Sequence, residues 1–320
     1  LWFARTESQR KLNWYGSASL ELVGVKTSFL LEERYVGTYS RPNFEVDARV
    51  QQDTEGTEAR LTRRLGGNWQ LALPGRRSHR KTEDYDYLGT NLGETLTEKR
   101  YVTGGELRRA LSVKTRLVGG GHHTWYRFPR LPARDGQSTL AYGGFRTDAT
   151  ALISGHALAG YRWFTLEADS SGDTNVWYAD INATWNLSPK TKLGATYLHD
   201  LDYTAFATSG DSPTLAREQL TVFFDKMLAQ NVDLYLFGRL IHYNAEDIVL
   251  VPAGGGPVES YRDDRVREAG VELGYQFRSR VRMGVSAIYT ERRSNIETFG
   301  IQGLLAGFRI TYDPPQPVVR

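Results

Sequence analysis

The sequence predicts an all-β fold, a transmembrane antiparallel up-and-down barrel of about 16 strands, or roughly 14 or 18. Three observations predict it. Apolar and polar residues alternate with period two through segment after segment. The connections between segments alternate short and long. Tryptophan and tyrosine recur at segment ends on the apolar side.

The bulk properties narrow the field first. Mean hydropathy is −0.47, and no stretch approaches the roughly 18 apolar residues of a membrane-spanning helix; the fully apolar runs are short, such as Phe29–Leu31. A barrel strand needs only one apolar face, so the same numbers admit a barrel. With no cysteine, disulfide scaffolds, thiolate metal sites and covalently attached haem are excluded. The 32 glycines, 18 tyrosines and 7 tryptophans against 2 methionines favour strands. The formal charge of +3, from 40 basic and 37 acidic side chains, is too small to indicate partners. Leu1 with no charged-plus-apolar leader after it reads as a mature chain whose export signal has been removed.

Along the chain, residues 1–11 are expected to be a periplasmic segment, residues 12–312 a single barrel, and residues 313–320, with Pro314, Pro315 and Pro317, a tail outside it. Trp14, Gly16, Ala18, Leu20 and Leu22 form one apolar face. A tight turn at Val23-Gly24 leads to Thr27, Phe29 and Leu31, and Phe44, Val46, Ala48 and Val50 form the next face. The clearest strand is Trp177–Trp185, where Trp177, Ala179, Ile181, Ala183 and Trp185 alternate with Tyr178, Asp180, Asn182 and Thr184. The pattern repeats in Leu193–Tyr197, Leu220–Phe224, Val232–Leu240, Ala269–Tyr275 and Val281–Tyr289. Short turns fall near Leu65–Asn68, Ser112–Lys114, Asp148–Thr150, Asn186–Lys190, Met227–Asn231 and Arg278–Arg280. Long connections fall near Glu83–Glu98, Phe128–Gln137, Thr165–Asn175, Asp200–Ala216, Asn244–Asp263 and Arg292–Phe299. Short periplasmic turns and long outer loops sort this way in outer-membrane barrels, whereas a soluble sandwich has no reason to sort loop length by end.

On the apolar face, Trp69, Trp185, Tyr275 and Tyr312 fall at short-turn ends, and Trp125, Trp163, Trp177 and Tyr289 at long-loop ends. Two interfacial girdles produce this arrangement. In the last strand Leu305, Gly307, Phe308, Ile310 and Tyr312 are expected to face outward, like the C-terminal signal that barrel-assembly machinery reads. Pro74, inside an otherwise regular strand, predicts a bulge or the strand's upper end, because proline removes a ladder donor. Gly119-Gly120-Gly121 marks curvature and not a phosphate loop, since no Lys-Ser/Thr follows.

The polar face would line a lumen with Arg60, Arg64, Glu106, Arg108, Arg162, Asp180, Asp225, Asp233, Arg239, Glu268, Glu272, Arg282 and Arg309. Such charges either pair across the lumen or bias passage toward anions and polyanionic sugars. Inward Tyr178, Tyr235 and Phe237 fill space or stack on sugar rings. The adjacent pairs His122-His123 and His199-Asp200 suggest catalysis only weakly, with no nucleophile beside them. No metal-ligand spacing and no cofactor motif occurs, so the chain is expected not to be an enzyme. Arg76-Arg77 and His79-Arg80-Lys81 form a basic cluster at the outer rim, suited to lipopolysaccharide phosphates or simply to a solvated strand end. Nothing indicates nucleic acid.

The runs NATWNLSPKTKLGATYL (182–198), DLDY (200–203), RDDR (262–265), GVELGYQF (270–277) and IYTERR (288–293) resemble the β-barrel porin 2 family, over roughly Val46 to Tyr312. That resemblance implies a bacterial outer-membrane barrel associated with exopolysaccharide export, and it carries no catalytic residues. The expected function is a channel in the outer membrane, in contact with lipid and lipopolysaccharide, serving as the exit pore for a secreted polysaccharide. The alternative is a scaffold barrel that sheaths a partner such as a lipoprotein or a multihaem cytochrome.

Overall fold

The structure is a computed structural model that describes residues 13–42, 45–46, 48–87, 89–147, 152–168, 173–205, 214–250, 258–277, 281–295 and 300–312, with the backbone alone for 245–250, 258–262 and 312. The expected end segments, 1–11 and 313–320, lie outside these residues.

The chain forms β1 (Trp14–Val23), β2 (Thr27–Ser40), β3 (Val50–Gly66), β4 (Trp69–Thr82), β5 (Asp86–Tyr87), β6 (Thr90–Asn91), α1 (Leu92–Leu96), β7 (Glu98–Ala110) and β8 (Thr115–Arg127). After a 3-10 turn at Pro132–Arg134 come β9 (Gly136–Thr147), β10 (Ile153–Leu166), β11 (Thr174–Ser188), β12 (Thr191–Tyr203), β13 (Thr214–Ala229), β14 (Val232–Leu250), β15 (Val258–Phe277), β16 (Val281–Ser294) and β17 (Ile301–Tyr312). Fifteen strands form one antiparallel meander in chain order, and β5 with β6 makes a separate small hairpin. The expected count of about 16 therefore compares with 15 barrel strands among the described residues.

Directly paired residues share a face, so the ladders carry one assignment around the sheet. Ile153 pairs with Trp185, which pairs with Leu193, which pairs with Phe224, which pairs with Leu236, which pairs with Val271, all in one apolar row. That face leaves large side chains uncovered, among them Leu240, Val285, Leu304 and Ile310. An apolar band of this extent is far larger than the patches tolerated on a water-soluble monomer; hydrocarbon contact covers it at no desolvation penalty.

The short turns all lie at one end and the longer connections at the other. At the short end, Gly66 and Gly67 take φ of 112° and 53°, a region open to glycine, and so close the β3–β4 turn within two residues. Long-loop ends are the outer ends on this parity. The stretch 244–263, expected to be a loop, is mostly strand: β14 and β15 stay paired out to Leu250 and Val258. Those strands have 19 and 20 residues, well beyond the roughly 9–11 that cross a bilayer, so their tips stand in the outer medium where no apolar face is required.

Three further expectations change. Pro74 makes no bulge: it pairs with Arg60 in constant register, and the β4–β7 ladder lapses between Ala72 and Gly75, where the proline supplies no N–H. Phe308 and Ile310 pair with Val285 and Met283 on the lipid side, but Leu305 and Gly307 pair with Ile288 and Ser286 and so face the lumen. Val46 is not on a lipid face; it is fully buried with Val50, Leu92, Leu96 and Ala205, and Phe44 lies outside the described residues.

The wall of β7 to β10 is rich in glycines whose side of the sheet has no room for a side chain. A Cβ on Gly160 would lie 2.0 Å from the Ala141 carbonyl oxygen, and one on Gly120 would lie 2.6 Å from that of Gly105. Glycine there permits the tight coiling that bends a sheet round a lumen.

Candidate functional site: the lumen wall and its outer chamber

The inward face carries alternating acid and base because every second residue of each strand points there. By ladder parity the thirteen charged residues expected on the inner face lie on the side of the sheet opposite the apolar row. Near the inner end, Glu106 accepts from Arg108 Nε at 2.5 Å, Tyr142 OH at 2.7 Å and Arg146 at 3.2 Å. Farther round, Arg282 spans Asp233 and Glu272 at 2.6 and 2.7 Å, and Arg309 stands 3.8 Å from Glu272. Arg239 meets Glu268 at 2.9 Å. Arg60 pairs with Glu58 at 2.6 Å, sharing it with Arg76. Arg162 binds Asp200 through two nitrogens, at 2.5 and 3.0 Å, and also reaches Ser138. Asp180 lies 2.9 Å from His156. Arg64 lines a cavity of about 590 Å³ at the inner end with Lys26, Arg108 and Arg116. Asp225 faces the same lumen, opposite Lys192 and Tyr235 in the ladders.

Aromatic rings lie among these charges. Phe223, Tyr235 and Phe237 form a run with successive centroids 6.0 Å apart. Phe223 covers Gly194 and Phe237 covers Gly270, whose missing side chains make room for the rings. Tyr178 neighbours Tyr142 at 6.4 Å.

On the outer surface Trp69, Trp125, Trp163, Trp177, Trp185, Tyr275 and Tyr289 all lie on the apolar face, at the strand ends assigned to them. The side chain of Tyr312 is outside the described set. Period two also separates the histidine pairs. His199 stacks on Trp177 on the lipid side with centroids 3.7 Å apart, while Asp200 turns inward to Arg162. His122 faces the lumen beside Tyr142, and His123 faces out beside Trp125. Neither pair is brought together. Among the described residues no group of three or more histidine, aspartate or glutamate side chains is placed to hold a metal. The basic rim cluster divides likewise: Arg76 and Arg80 reach Glu58 and Glu98 inside, whereas Arg77 turns outward toward Glu55.

The outer end holds what sequence reasoning missed. Four outer connections pack into a roof. Glu45, before β3, accepts from the Thr204 hydroxyl at 2.6 Å and from the Ala205 amide. Arg134, 1% exposed, donates to the carbonyl oxygens of Thr95 at 2.7 Å and of Thr204. Its guanidinium lies 4.8 Å above the Phe128 ring. Complete burial pushes its pKa down to about 10, which still leaves it charged at neutral pH. Asn91 caps the single-turn helix α1 through the amides of Gly93 and Glu94, and α1 turns Leu92 and Leu96 down into the roof's apolar centre.

Beneath this roof is a chamber of about 480 Å³. Its wall joins β4 and β7 on one side to β12 through β17 on the other, so strands remote in the meander face each other across one lumen.

Comparison with solved structures shows the same kind of fold. The chain aligns with the copper transporter OprC at 12% identity and TM-score 0.54, covering 95% of this chain and 56% of that one. For the FrpB iron transporter from Neisseria meningitidis the values are 10%, 0.54, 95% and 57%. For the ferripyoverdine receptor of the outer membrane of Pseudomonas aeruginosa they are 9%, 0.52, 96% and 52%. The chain thus spans little more than half the length of each of these proteins. No functionally curated protein matches its sequence at a significant level. The family model described as "Putative beta-barrel porin 2" matches residues 122–311, more than half of the chain, and the chain belongs to that family of bacterial outer-membrane β-barrels.

Proposed function

We propose that this porin-like barrel is a channel for hydrophilic, preferentially anionic solutes, and that its cargo is a secreted polysaccharide on its way out of the cell. The observation that carries the reading is the inner wall. Guanidinium groups line both ends of the lumen, and in the inner cavities Lys26, Arg64, Arg108, Arg116 and Arg146 stand with no carboxylate among the lining residues. A confined basic wall raises the local concentration of anions. The aromatic run Phe223, Tyr235 and Phe237 adds flat apolar surface of the kind on which the C–H faces of sugar rings lie.

The test is the reversal potential of the purified barrel in a planar bilayer under a salt gradient. A potential of the sign for anion preference is expected. A barrel that is folded, as shown by heat-modifiable migration on a gel, yet passes no current or prefers cations would overturn the reading.

A further inference from the structure

The chamber under the roof is built differently from the rest of the lumen. Six arginines line it, Arg41, Arg80, Arg100, Arg217, Arg239 and Arg292, against two carboxylates, Asp202 and Glu268. Two more carboxylates, Glu98 and Asp264, are buried at the same end, and Glu45 in the roof is electrostatically coupled to Arg134. The excess of positive charge is reduced by them but kept.

Four of these guanidinium groups, those of Arg80, Arg100, Arg217 and Arg239, are also incompletely used. Arg80 and Arg100 each reach the same Glu98 through one nitrogen, at 3.2 and 3.0 Å. Arg239 reaches Glu268 through one nitrogen. Arg217 reaches Asp202 and Gln219. The buried Nε of all four, the Tyr203 hydroxyl and Glu98 Oε2 have no hydrogen-bond partner among the described residues. Buried donors are ordinarily satisfied, and a guanidinium fork matches a carboxylate or phosphate in two parallel bonds. Apart from Thr290, the rest of the lining is apolar or aromatic: Pro42, Leu96, Ile241, Val266 and Ile301, with the rings of Tyr203 and Tyr243. The volume lies within the roughly 300–1,000 Å³ of small-molecule sites.

We propose that the outer chamber is a binding site for an acidic saccharide, a short oligomer of sugar rings bearing carboxylates. The arginines take the carboxylates in forked hydrogen bonds. The tyrosines, isoleucines and proline take the ring faces. The proposal deepens the channel reading: the site would hold an acidic chain at the outer end of its path. It differs from the inner cavities, which are basic but lack the aromatic and aliphatic walls apart from Val25 and Trp69.

The experiment is calorimetric titration of the detergent-solubilised full chain with trigalacturonate, maltotriose and inorganic phosphate. Saturable binding of trigalacturonate, at least tenfold tighter than of either other probe, is expected. The double variant R217Q/R239Q should weaken it at least tenfold, and so should T290W, which fills the chamber without removing charge. K190Q, in the exposed inner turn between β11 and β12, should leave it unchanged. Folding of each variant is checked by heat-modifiable gel migration, and the two routes to loss, charge and volume, guard against one variant failing to fold. Equal affinity for maltotriose or for phosphate, no saturable binding, or loss with K190Q alone would overturn the proposal. A conducting, anion-selective barrel that binds no trigalacturonate would sink the chamber and leave the channel standing; a silent barrel that binds it would do the reverse.

Discussion

The outer and inner ends of this lumen are built from the same alternating strands and end in different structures. At the outer end, Glu45, Glu98, Arg134 and Arg162 are all nearly or fully buried, and Glu45 and Arg134 are hydrogen-bonded across connections far apart in sequence. At the inner end, Lys26, Arg64, Arg108, Arg116 and Arg146 line two shallower cavities of about 590 and 390 Å³. Connection length separates the two. An outer loop such as 83–97 is long enough to fold a hairpin and a helical turn back over the mouth, whereas a two-residue turn can only reverse the chain. Outer connections can therefore pack on one another, as Glu45, Arg134 and Thr204 do, without any change in the strand pattern.

Removing single partners at the two ends should break or sharpen this contrast. The largest effect is expected for Arg162→Ala at the outer end. It leaves Asp200 charged and half-enclosed, and losing one partner of a buried pair costs about 3–5 kcal/mol, to be read from urea unfolding in lipid vesicles. Arg134→Met comes next. It strips the roof of two charge-assisted bonds to carbonyls, each worth about 1.5–3 kcal/mol, and should destabilise by about 3 kcal/mol in total. Proteolysis within 83–97 and 128–135 should accelerate while the inner turns stay protected; equal protection of both ends would show that Arg134 does not hold the roof. Gly160→Ala, in the wall common to both ends, forces a Cβ onto the Ala141 carbonyl and should cost about 1–3 kcal/mol. Gly16→Ala, with nothing near its added carbon, serves as its control. The smallest effect on stability belongs to Arg64→Gln, on the lining of the inner cavity: within about 0.5 kcal/mol, yet with a measurable shift of reversal potential toward cations.

The part of this architecture legible in the sequence is the part governed by period two. Once Trp177–Trp185 fixed which residues face lipid, the inward position of Asp180, Arg239 or Glu272 followed from counting, and so did the splitting of His199 from Asp200 by two faces. Errors arose where another signal displaced the count. A C-terminal signature would turn Leu305 and Gly307 outward, whereas their even-numbered neighbours Phe308 and Ile310 set the parity. Stretch 244–263 reads as loop because it holds Pro252, Gly254, Gly255, Gly256 and Pro257, but a strand beyond the bilayer has no need of an apolar face. The roof was not legible at all. Glu45 meets Thr204 across 159 residues, and no local pattern encodes such a contact. The chamber followed the roof into obscurity, because Arg100 and Arg217 flank stretches read as loops and Arg80 was grouped with an exposed rim cluster.

The central claim is that adjacent residues of one strand face water and lipid in turn. Substituted-cysteine accessibility tests it most directly, because the chain has no cysteine of its own. In lipid vesicles, T221C, on the inward face of β13 beside Gln219, is predicted to react rapidly with a charged, membrane-impermeant thiol reagent. V222C, one residue on and paired with Ala195 in the apolar row, is predicted to resist it. Equal reactivity at the two positions would contradict the assignment of faces, and with it the lumen and its chamber.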